Sequence, residues 1–215
     1  MKAEFWQERW QKNEIGFHEG RANRMLAAFH DKLPGGGRVF LPLCGKTRDI
    51  AWLHDRGHQV AGAELSELAV QQLFDEMGKV PDIDKAGTLK RYHAEGIDIY
   101  AGDIFDLDAE TLGSVDAVFD RAALVALPED MRRRYTAHLT TITGQAPQLL
   151  VTFEYDPSEM DGPPFSLSDD EIANHYDTAF HVAQLADENV PGKLKGICEA
   201  HEKAWLLSPR QAVSR

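Results

Sequence analysis

The 215 residues of this chain suffice for one large hydrophobic core and exclude anything beyond two small domains. Hydrophobic residues make up 43% of the sequence and charged residues 27%, which is the balance of a globular protein and not of a disordered one. The formal net charge of −12 disfavours a protein that binds nucleic-acid backbone or an anionic membrane surface, so we expect neither partner.

Short apolar or β-branched runs alternate along the chain with longer segments of helical period. The predicted strands are 38–43, 59–64, 96–101, 115–119, 148–154, 179–183 and 203–207, and the predicted crossover helices are 49–56, 66–77 and 129–141. This order is typical of an α/β fold with a mostly parallel sheet and helices on both faces. No good helix separates the last two strands, so we expect an antiparallel hairpin at the sheet edge. We find no linker and predict one domain over residues 1–215.

Two segments outside this pattern admit two interpretations each. Trp6 and Trp10 are four residues apart on a short N-terminal helix, so they share a face. That face either packs on the core or, as we predict, covers a ligand as part of a lid over residues 1–33, because an indole face favours a cation such as a sulfonium. Residues 78–96 contain Pro81 and little periodicity, which indicates either a mobile loop over the substrate or a plain exposed connection.

The first predicted strand ends in the turn Pro42-Leu43-Cys44-Gly45-Lys46-Thr47. A phosphate loop needs a glycine five positions before Gly45, where this chain has Phe40 inside the strand. The glycine fingerprint of dinucleotide-binding proteins is absent as well, which argues against a nicotinamide-dependent oxidoreductase. Cys44 has no assignable catalytic partner, so we interpret it as a small turn residue.

We expect neither a metal site nor a disulfide. His54 and His58 have the spacing of zinc ligands on one helix, but Gly57 interrupts that helix and no third ligand follows. The two cysteines, Cys44 and Cys198, cannot form a disulfide framework. The N-terminal residues have no apolar run of the secretory type, and no segment approaches the ~20 apolar residues of a membrane span. We therefore expect a reduced, cytoplasmic protein, and a monomer.

Acidic residues stand where several predicted strands end, which is the edge where α/β sheets bind ligands. Glu64 ends the second strand about 20 residues beyond the first glycine turn, where a carboxylate accepts hydrogen bonds from a nucleoside ribose. Asp103 and Ile104 follow the third strand and would flank an adenine. The pair Asp120-Arg121 ends the fourth strand and either forms a plain ion pair or faces the ligand. Taken alone, Glu64 is equally well explained as a surface glutamate at a strand end, and Asp103 as an ordinary turn aspartate.

Together, these residues resemble a known family. The motifs are Trp6-x-x-x-Trp10, Ile15-Gly16-Phe17-His18, Leu41-Pro42-Leu43-Cys44-Gly45-Lys46, Glu64-Leu65-Ser66, Gly102-Asp103-Ile104-Phe105 and Asp120-Arg121-x-Ala123-Leu124. They resemble the thiopurine S-methyltransferase family in its shorter bacterial form, over nearly the whole chain. Its Pro-Leu-Cys-Gly-Lys turn replaces the glycine-rich loop of other methyltransferases. Ala122 departs from the glycine usual in the family, and its methyl group would narrow the substrate side of the pocket.

The resemblance implies a Rossmann-like methyltransferase fold with seven strands, of which the last is antiparallel. It implies that S-adenosyl-methionine contacts Trp10, Leu43, Glu64 and Arg121, with Asp103 and Ile104 beside the adenine. Arg121 is the predicted catalytic residue, because its charge would favour an acceptor thiolate. The implied reaction is methyl transfer to the sulfur of aromatic or heterocyclic thiols such as thiopurines, and in some bacterial members to selenium or tellurium species. From the residues alone, a nucleoside-binding sensor without turnover remains the alternative.

Overall fold

The structure is a computed structural model and describes residues 3–16 and 18–210, so Phe17 of the Ile15–His18 motif lies outside the described residues. The strands are β1 (Arg38–Leu41), β2 (Gln59–Glu64), β3 (Asp82–Ala86), β4 (Leu89–Ala94), β5 (Ile97–Ala101), β6 (Ala117–Arg121), β7 (Gln148–Glu154), β8 (Phe180–Asn189) and β9 (His201–Pro209). The helices are α1 (Ala3–Gln11), α2 (Arg24–Phe29), α3 (Arg48–His54), α4 (Glu67–Met77), α5 (Ala109–Leu112), α6 (Glu129–Ile142) and α7 (Asp169–Tyr176).

The nine strands form one sheet in the order β3-β4-β5-β2-β1-β6-β7-β9-β8. The five central strands, β5, β2, β1, β6 and β7, pair in parallel. An antiparallel hairpin closes each edge, β3–β4 beside β5 and β8–β9 beside β7. The predicted α/β class, the mostly parallel sheet and the hairpin of the last two strands are confirmed.

The strand count and the loop at 78–96 were predicted wrongly, for one shared reason. That segment contains β3 and β4, which add two strands to the predicted seven. It shows little hydrophobic periodicity because β3 is an exposed edge strand, with Ile83 on the surface, and only β4 contributes buried residues such as Leu89. Gly87, with φ of +63°, provides the left-handed conformation of the two-residue turn. The segment is therefore a paired hairpin and not a mobile loop.

Helices cover both faces of the sheet, as predicted. Along β1, Phe40 points into one core with residues of α6 and α7, while Val39 and Leu41 point into the other with residues of α2, α3 and α4. Each face thus buries its own apolar cluster. None of the described helices is long and apolar enough to cross a bilayer.

Helix caps fix where the chain leaves the carboxyl edge of the sheet. The Thr47 hydroxyl accepts a hydrogen bond from the Asp49 amide at the start of α3. Ser66 caps α4 in the same way through the Ala69 amide, and the left-handed Gly78 ends that helix. Both caps hold the turns after β1 and β2 close to the sheet edge.

Candidate active site

A cavity of about 820 Å³ opens at the carboxyl ends of the parallel strands. This is the edge at which α/β sheets bind ligands, and the volume lies in the usual range for cofactor and small-molecule pockets. All six residues predicted for the site line it: Trp10, Leu43, Glu64, Asp103, Ile104 and Arg121. We call the side formed after β1, β2 and β5 the first wall, and the side formed after β6 and β7 and by the β8–β9 connection the second wall.

The turn after β1 is shaped by two left-handed residues, Leu43 with φ of +47° and Gly45 with φ of +54°. Trp10 lies directly on this turn: a β-carbon at residue 45 would stand 2.9 Å from the Cζ2 atom of the indole. Gly45 is therefore required both by its backbone conformation and by the close approach of Trp10. Trp10 itself is 4% exposed, so α1 is seated over the first wall in this structure. Whether it opens as a lid stays a prediction.

Glu64 is buried at the end of β2 and connects two neighbouring turns. One carboxylate oxygen accepts a hydrogen bond from the Gly45 amide at 2.8 Å, and the other accepts one from the Ser66 amide at 2.7 Å. Burial raises the pKa of Glu64 to about 7, although these two amides act in the opposite direction. Since each carboxylate oxygen has a second lone pair, Glu64 can still accept hydrogen bonds from a ligand in the cavity.

The first wall continues into the turn after β5. The Asp103 carboxylate accepts a hydrogen bond from the Phe105 amide at 3.0 Å, which starts a short 3-10 turn. Ile104 is buried in that turn, and its carbonyl accepts a hydrogen bond from the His138 ring at 2.8 Å. An acidic side chain and a fixed apolar neighbour thus stand together at the cavity. That they flank an adenine stays a prediction.

At the end of β6, strand alternation sends Asp120 and Arg121 to opposite sides. Asp120 is fully buried and accepts hydrogen bonds from the Tyr135 hydroxyl at 2.7 Å and the Leu124 amide at 3.1 Å; burial raises the pKa of its carboxyl to about 6. Arg121 faces the cavity and forms an ion pair with Glu19 at 2.6 Å. Ala122 adopts φ of +59°, a left-handed conformation that glycine occupies without strain. Asp120 therefore anchors the loop that presents Arg121.

Comparison with known proteins identifies the family. The family model of thiopurine S-methyltransferase matches residues 1–210. A thiopurine S-methyltransferase of Xanthobacter autotrophicus is 55% identical over 210 residues, covering 96% of this chain and 99% of that protein. The chain belongs to the thiopurine S-methyltransferase family. A second member, from Gluconobacter oxydans, is 47% identical and covers 96% of this chain and 95% of its own length.

Solved structures agree with the fold. The Burkholderia thailandensis 1,6-didemethyltoxoflavin-N1-methyltransferase, solved with its substrate and S-adenosylhomocysteine, superposes with a TM-score of 0.66 at 17% identity, covering 96% of this chain and 87% of that one. A TehB-like SAM-dependent methyltransferase from Corynebacterium glutamicum gives a TM-score of 0.57 at 13% identity, covering 97% and 98%. These structures show the fold. Membership of the thiopurine S-methyltransferase family makes the chain an enzyme, not a sensor, and its methyl donor is S-adenosyl-methionine.

The cavity of this family member fits that methyl donor. Glu64 offers carboxylate lone pairs for ribose hydroxyls, and Leu43 and Ile104 offer apolar surface for a base. Trp10 lines the cavity as well and is an aromatic residue of the kind that attracts a cation such as a sulfonium.

Sequence reasoning missed several residues of this site. Glu19 and Asp49 line the cavity near Arg121; burial raises the pKa of Asp49, which accepts a hydrogen bond from the Asn23 amide at 2.7 Å. Arg9, from α1, and Lys195, from the connection between β8 and β9, line the cavity as well. The apolar residues of the second wall include Leu127, Met131, Phe153, Pro163, Pro164, Val190 and Leu194. No short motif joins these segments, so only the fold could have brought them together.

The surroundings of Cys44, His54 and His58 bear on the nucleophile and the metal site considered from the sequence. Burial raises the pKa of the Cys44 thiol well above its usual value, which disfavours the thiolate that a nucleophile needs. Its sulfur packs against Gly62, in line with the small turn residue predicted. His54 and His58 each make a hydrogen bond to a main-chain carbonyl, those of Glu95 at 2.6 Å and Gly37 at 3.1 Å. These carbonyls account for one ring nitrogen of each.

Proposed function

We propose that this enzyme transfers the methyl group of S-adenosyl-methionine to the sulfur of small aromatic or heterocyclic thiols, thiopurines among them. The observation that supports the proposal is the second wall: apolar side chains from four segments surround one face of the cavity, beside the Arg121 guanidinium at the end of β6. A planar, largely apolar molecule with one polar atom matches such a surface better than a sugar or a charged peptide does.

The donor supplies a methyl group already activated by the positive charge on its sulfur. In the reaction the acceptor sulfur forms a bond to the methyl carbon, the bond from that carbon to the donor sulfur breaks, and the thiol proton goes to solvent. The protein therefore contributes chiefly alignment of the two sulfur atoms. A heterocyclic or aromatic thiol ionises readily, so a strong general base is not required.

We assign the residue roles as follows. Glu64 accepts hydrogen bonds from the ribose, Asp103 and Ile104 flank the adenine, and Leu43 and Trp10 enclose the remainder of the donor. Arg121 contacts the donor and favours a thiolate on the acceptor. Its ion pair with Glu19 at 2.6 Å offsets part of its charge, so the guanidinium acts through directed hydrogen bonds as much as through net potential.

We further propose one domain over residues 1–215 and a monomer in the cytoplasm. The cytoplasm is supported by Cys44 and Cys198, which are both buried free thiols, as is usual for proteins in a reducing compartment. Selenium and tellurium species form a second acceptor class, since their lone pairs attack a methyl carbon in the same way as sulfur.

The test is a methyl-transfer screen with mass-spectrometric detection of methylated products. Thiophenol, 6-mercaptopurine, phenol, aniline, selenite and tellurite would be offered with S-adenosyl-methionine. We expect methylation of the two sulfur compounds and little of the oxygen and nitrogen analogues. Preferential methylation of aniline or phenol would overturn the assignment to sulfur, and turnover of selenite or tellurite would decide the second acceptor class.

A further inference from the structure

Helix α6 contacts the turn that follows β5, residues 103–107, which we call the β5 turn. Within this turn the Ile104 carbonyl accepts a hydrogen bond from the Leu107 amide at 3.1 Å. Asp103, Ile104 and Phe105 all line the cavity. The conformation of the β5 turn therefore decides where the groups assigned to the adenine stand.

His138 of α6 holds the β5 turn from outside. Its Nε2 atom lies 2.8 Å from the Ile104 carbonyl oxygen. A carbonyl oxygen only accepts hydrogen bonds, so Nε2 carries a proton and donates it. Together with the Leu107 amide, His138 uses both lone pairs of that oxygen. The position of Ile104 is thus fixed by a helix 34 residues further along the chain as well as by its own turn.

Phe105 is held between two side chains of the same helix. The Arg134 guanidinium lies over its ring, 3.7 Å from the ring centroid. The His138 ring lies 5.4 Å from that centroid, with an angle of 57° between the two ring planes. Arg134 and His138 are four residues apart on a helix, so their side chains share one face. That face of α6 contacts two consecutive residues of the β5 turn.

The helix that makes these contacts is itself fixed to the sheet. The Tyr135 hydroxyl donates a hydrogen bond to the buried Asp120 carboxylate at 2.7 Å, and Tyr135 and Leu139 are fully buried in the core. Asp120 directly precedes Arg121 at the end of β6. One helix therefore connects the β5 turn with the strand end that presents Arg121, and it sets the distance between them.

The Asp103 carboxylate is oriented through Phe105. Its Oδ1 atom accepts the hydrogen bond from the Phe105 amide at 3.0 Å. The Asp103 side chain is exposed, so packing does not restrict its rotamers, and this bond to the main chain selects one of them. A displacement of Phe105 would therefore turn the carboxylate as well. In this way the side chains of α6 act on the charged group assigned to the adenine.

We propose that His138 and Arg134 are positioning residues of the methyl-donor site. By holding the β5 turn in place, they give the enzyme its selectivity for the adenine base. The inference rests on the proposed function, which assigns Asp103 and Ile104 to the adenine. The adenine amino group donates a hydrogen bond to the Asp103 carboxylate, whereas a base with a carbonyl oxygen at that position sets two acceptors against each other. The difference depends on where the carboxylate stands, and α6 fixes that place.

The test compares S-adenosyl-homocysteine with S-inosyl-homocysteine, in which an oxygen replaces the amino group of the base. Calorimetric titration gives the two dissociation constants, and we call their ratio the base selectivity. In the wild type we expect a base selectivity of about tenfold or more in favour of adenine, the scale of one hydrogen bond to a charged group. Asp103→Asn should reduce it, because an asparagine side chain can donate to the oxygen of the inosyl base as well as accept from the adenine.

The positioning variants act on the same ratio without touching the base. His138→Ala and Arg134→Ala should each reduce the base selectivity by about threefold or more, the scale of one neutral hydrogen bond or one cation–π contact. His138→Gln keeps an N–H donor toward the Ile104 carbonyl and should restore most of the selectivity. Arg133→Ala is the matched control, because Arg133 is the exposed neighbour of Arg134 on α6 and lies outside the cavity. Thermal melts check that each variant is folded.

A double variant separates positioning from a loss of stability. If His138 acts through Asp103, then His138→Ala has no further effect on the base selectivity in the Asp103→Asn background. Equal further loss in that background would overturn the route through Asp103. A general loss of stability would leave the base selectivity unchanged, because both ligands bind the same folded protein.

The two proposals fail in different ways. If Asp103→Asn lowers the base selectivity and His138→Ala does not, the adenine assignment stands and the positioning role is wrong. If the wild type has no base selectivity, the adenine assignment is wrong, and the affinity for S-adenosyl-homocysteine then decides the positioning role. A loss of that affinity in His138→Ala that His138→Gln reverses would support the role, and any other result would overturn it. An effect of Arg133→Ala as large as that of Arg134→Ala would overturn the role of Arg134.

Discussion

Replacing Glu64 with glutamine tests the centre of the donor site, because the substitution keeps the shape of the side chain and removes its charge. In the folded protein, Glu64 has a pKa of about 7, raised from 4.5 by burial. Above pH 7 it is a carboxylate that accepts hydrogen bonds from the Gly45 and Ser66 amides and, as proposed, from the ribose. Glutamine offers one acceptor oxygen and turns an amino group toward one of these amides.

The expected loss of affinity follows from these bonds and depends on pH. Hydrogen bonds to a charged group contribute about 1.5–3 kcal/mol, which corresponds to roughly 10- to 150-fold weaker donor binding at pH 8. At pH 6, one unit below the pKa of Glu64, about nine tenths of the wild-type Glu64 side chains are protonated. The ratio of donor affinities between wild type and Glu64→Gln should therefore be about tenfold smaller at pH 6 than at pH 8. Wild-type affinity therefore falls as pH decreases through 7, and the affinity of Glu64→Gln does not.

The free energy of unfolding depends on pH in the opposite direction to donor affinity: it decreases as pH rises. Because the pKa of Glu64 is raised on folding, its contribution to the free energy of unfolding is fully present below pH 4.5 and is lost as pH rises through about 7. The loss is on the order of 3 kcal/mol, and Glu64→Gln should not show it. Thermal melts of the wild type and of Glu64→Gln at pH 4.5, 6 and 8 therefore accompany the binding data.

The assay is calorimetric titration with S-adenosyl-homocysteine at pH 8 and pH 6. Glu67→Gln is the control, because Glu67 lies three residues further on, outside the cavity, and bonds to Lys90. Unchanged affinity in a folded Glu64→Gln protein at pH 8 would refute the ribose role. A ratio of wild-type to Glu64→Gln affinity that is the same at pH 6 and pH 8 would refute the reasoning from the raised pKa.

Three further predictions concern the rest of the cavity. Arg121→Ala should lower kcat/KM for the acceptor by more than it lowers donor affinity, with Arg121→Lys intermediate if charge is what matters; loss of donor affinity alone in steady-state kinetics would make Arg121 a donor ligand only. Ala122→Gly should not lower the melting temperature, because glycine relieves about 1 kcal/mol of strain in this left-handed position. The same variant should raise kcat/KM for bulkier thiols. A lower melting temperature would contradict the argument from strain. Removing the first 12 residues should weaken donor binding while calorimetric unfolding stays cooperative; a melt without a transition would show that α1 and Trp10 belong to the core.

The sequence predicted the central strands and their common edge because buried parallel strands have continuous apolar runs that few other structures produce. Once those strands were placed, Glu64, Asp103 and Arg121 had to meet, since the carboxyl ends of parallel strands share one edge. The same reasoning failed for β3, whose exposed residues have no pattern of burial to detect. Edge strands are specified by their partner and not by their own hydrophobicity.

Contacts between distant segments could not be predicted from the sequence, for a different reason. The ion pair between Glu19 and Arg121 joins residues 102 positions apart, and nothing local distinguishes Glu19 from any surface glutamate. The same holds for Arg9 and Lys195, which no spacing rule relates. The main-chain bonds of Glu64 were missed because its position predicted a ligand and gave no sign of the turns it connects.

The two walls of the cavity are also separate along the chain. After the N-terminal segment, the first wall is complete by Phe105 and the second begins at Phe119, and residues 106–118, all of them described, contribute nothing to the lining. A crossover within this interval would therefore join the first wall of one homologue to the second wall of another. Chimeras of that kind would exchange the second wall as a unit, and their kinetics would show how much of the acceptor preference that wall carries.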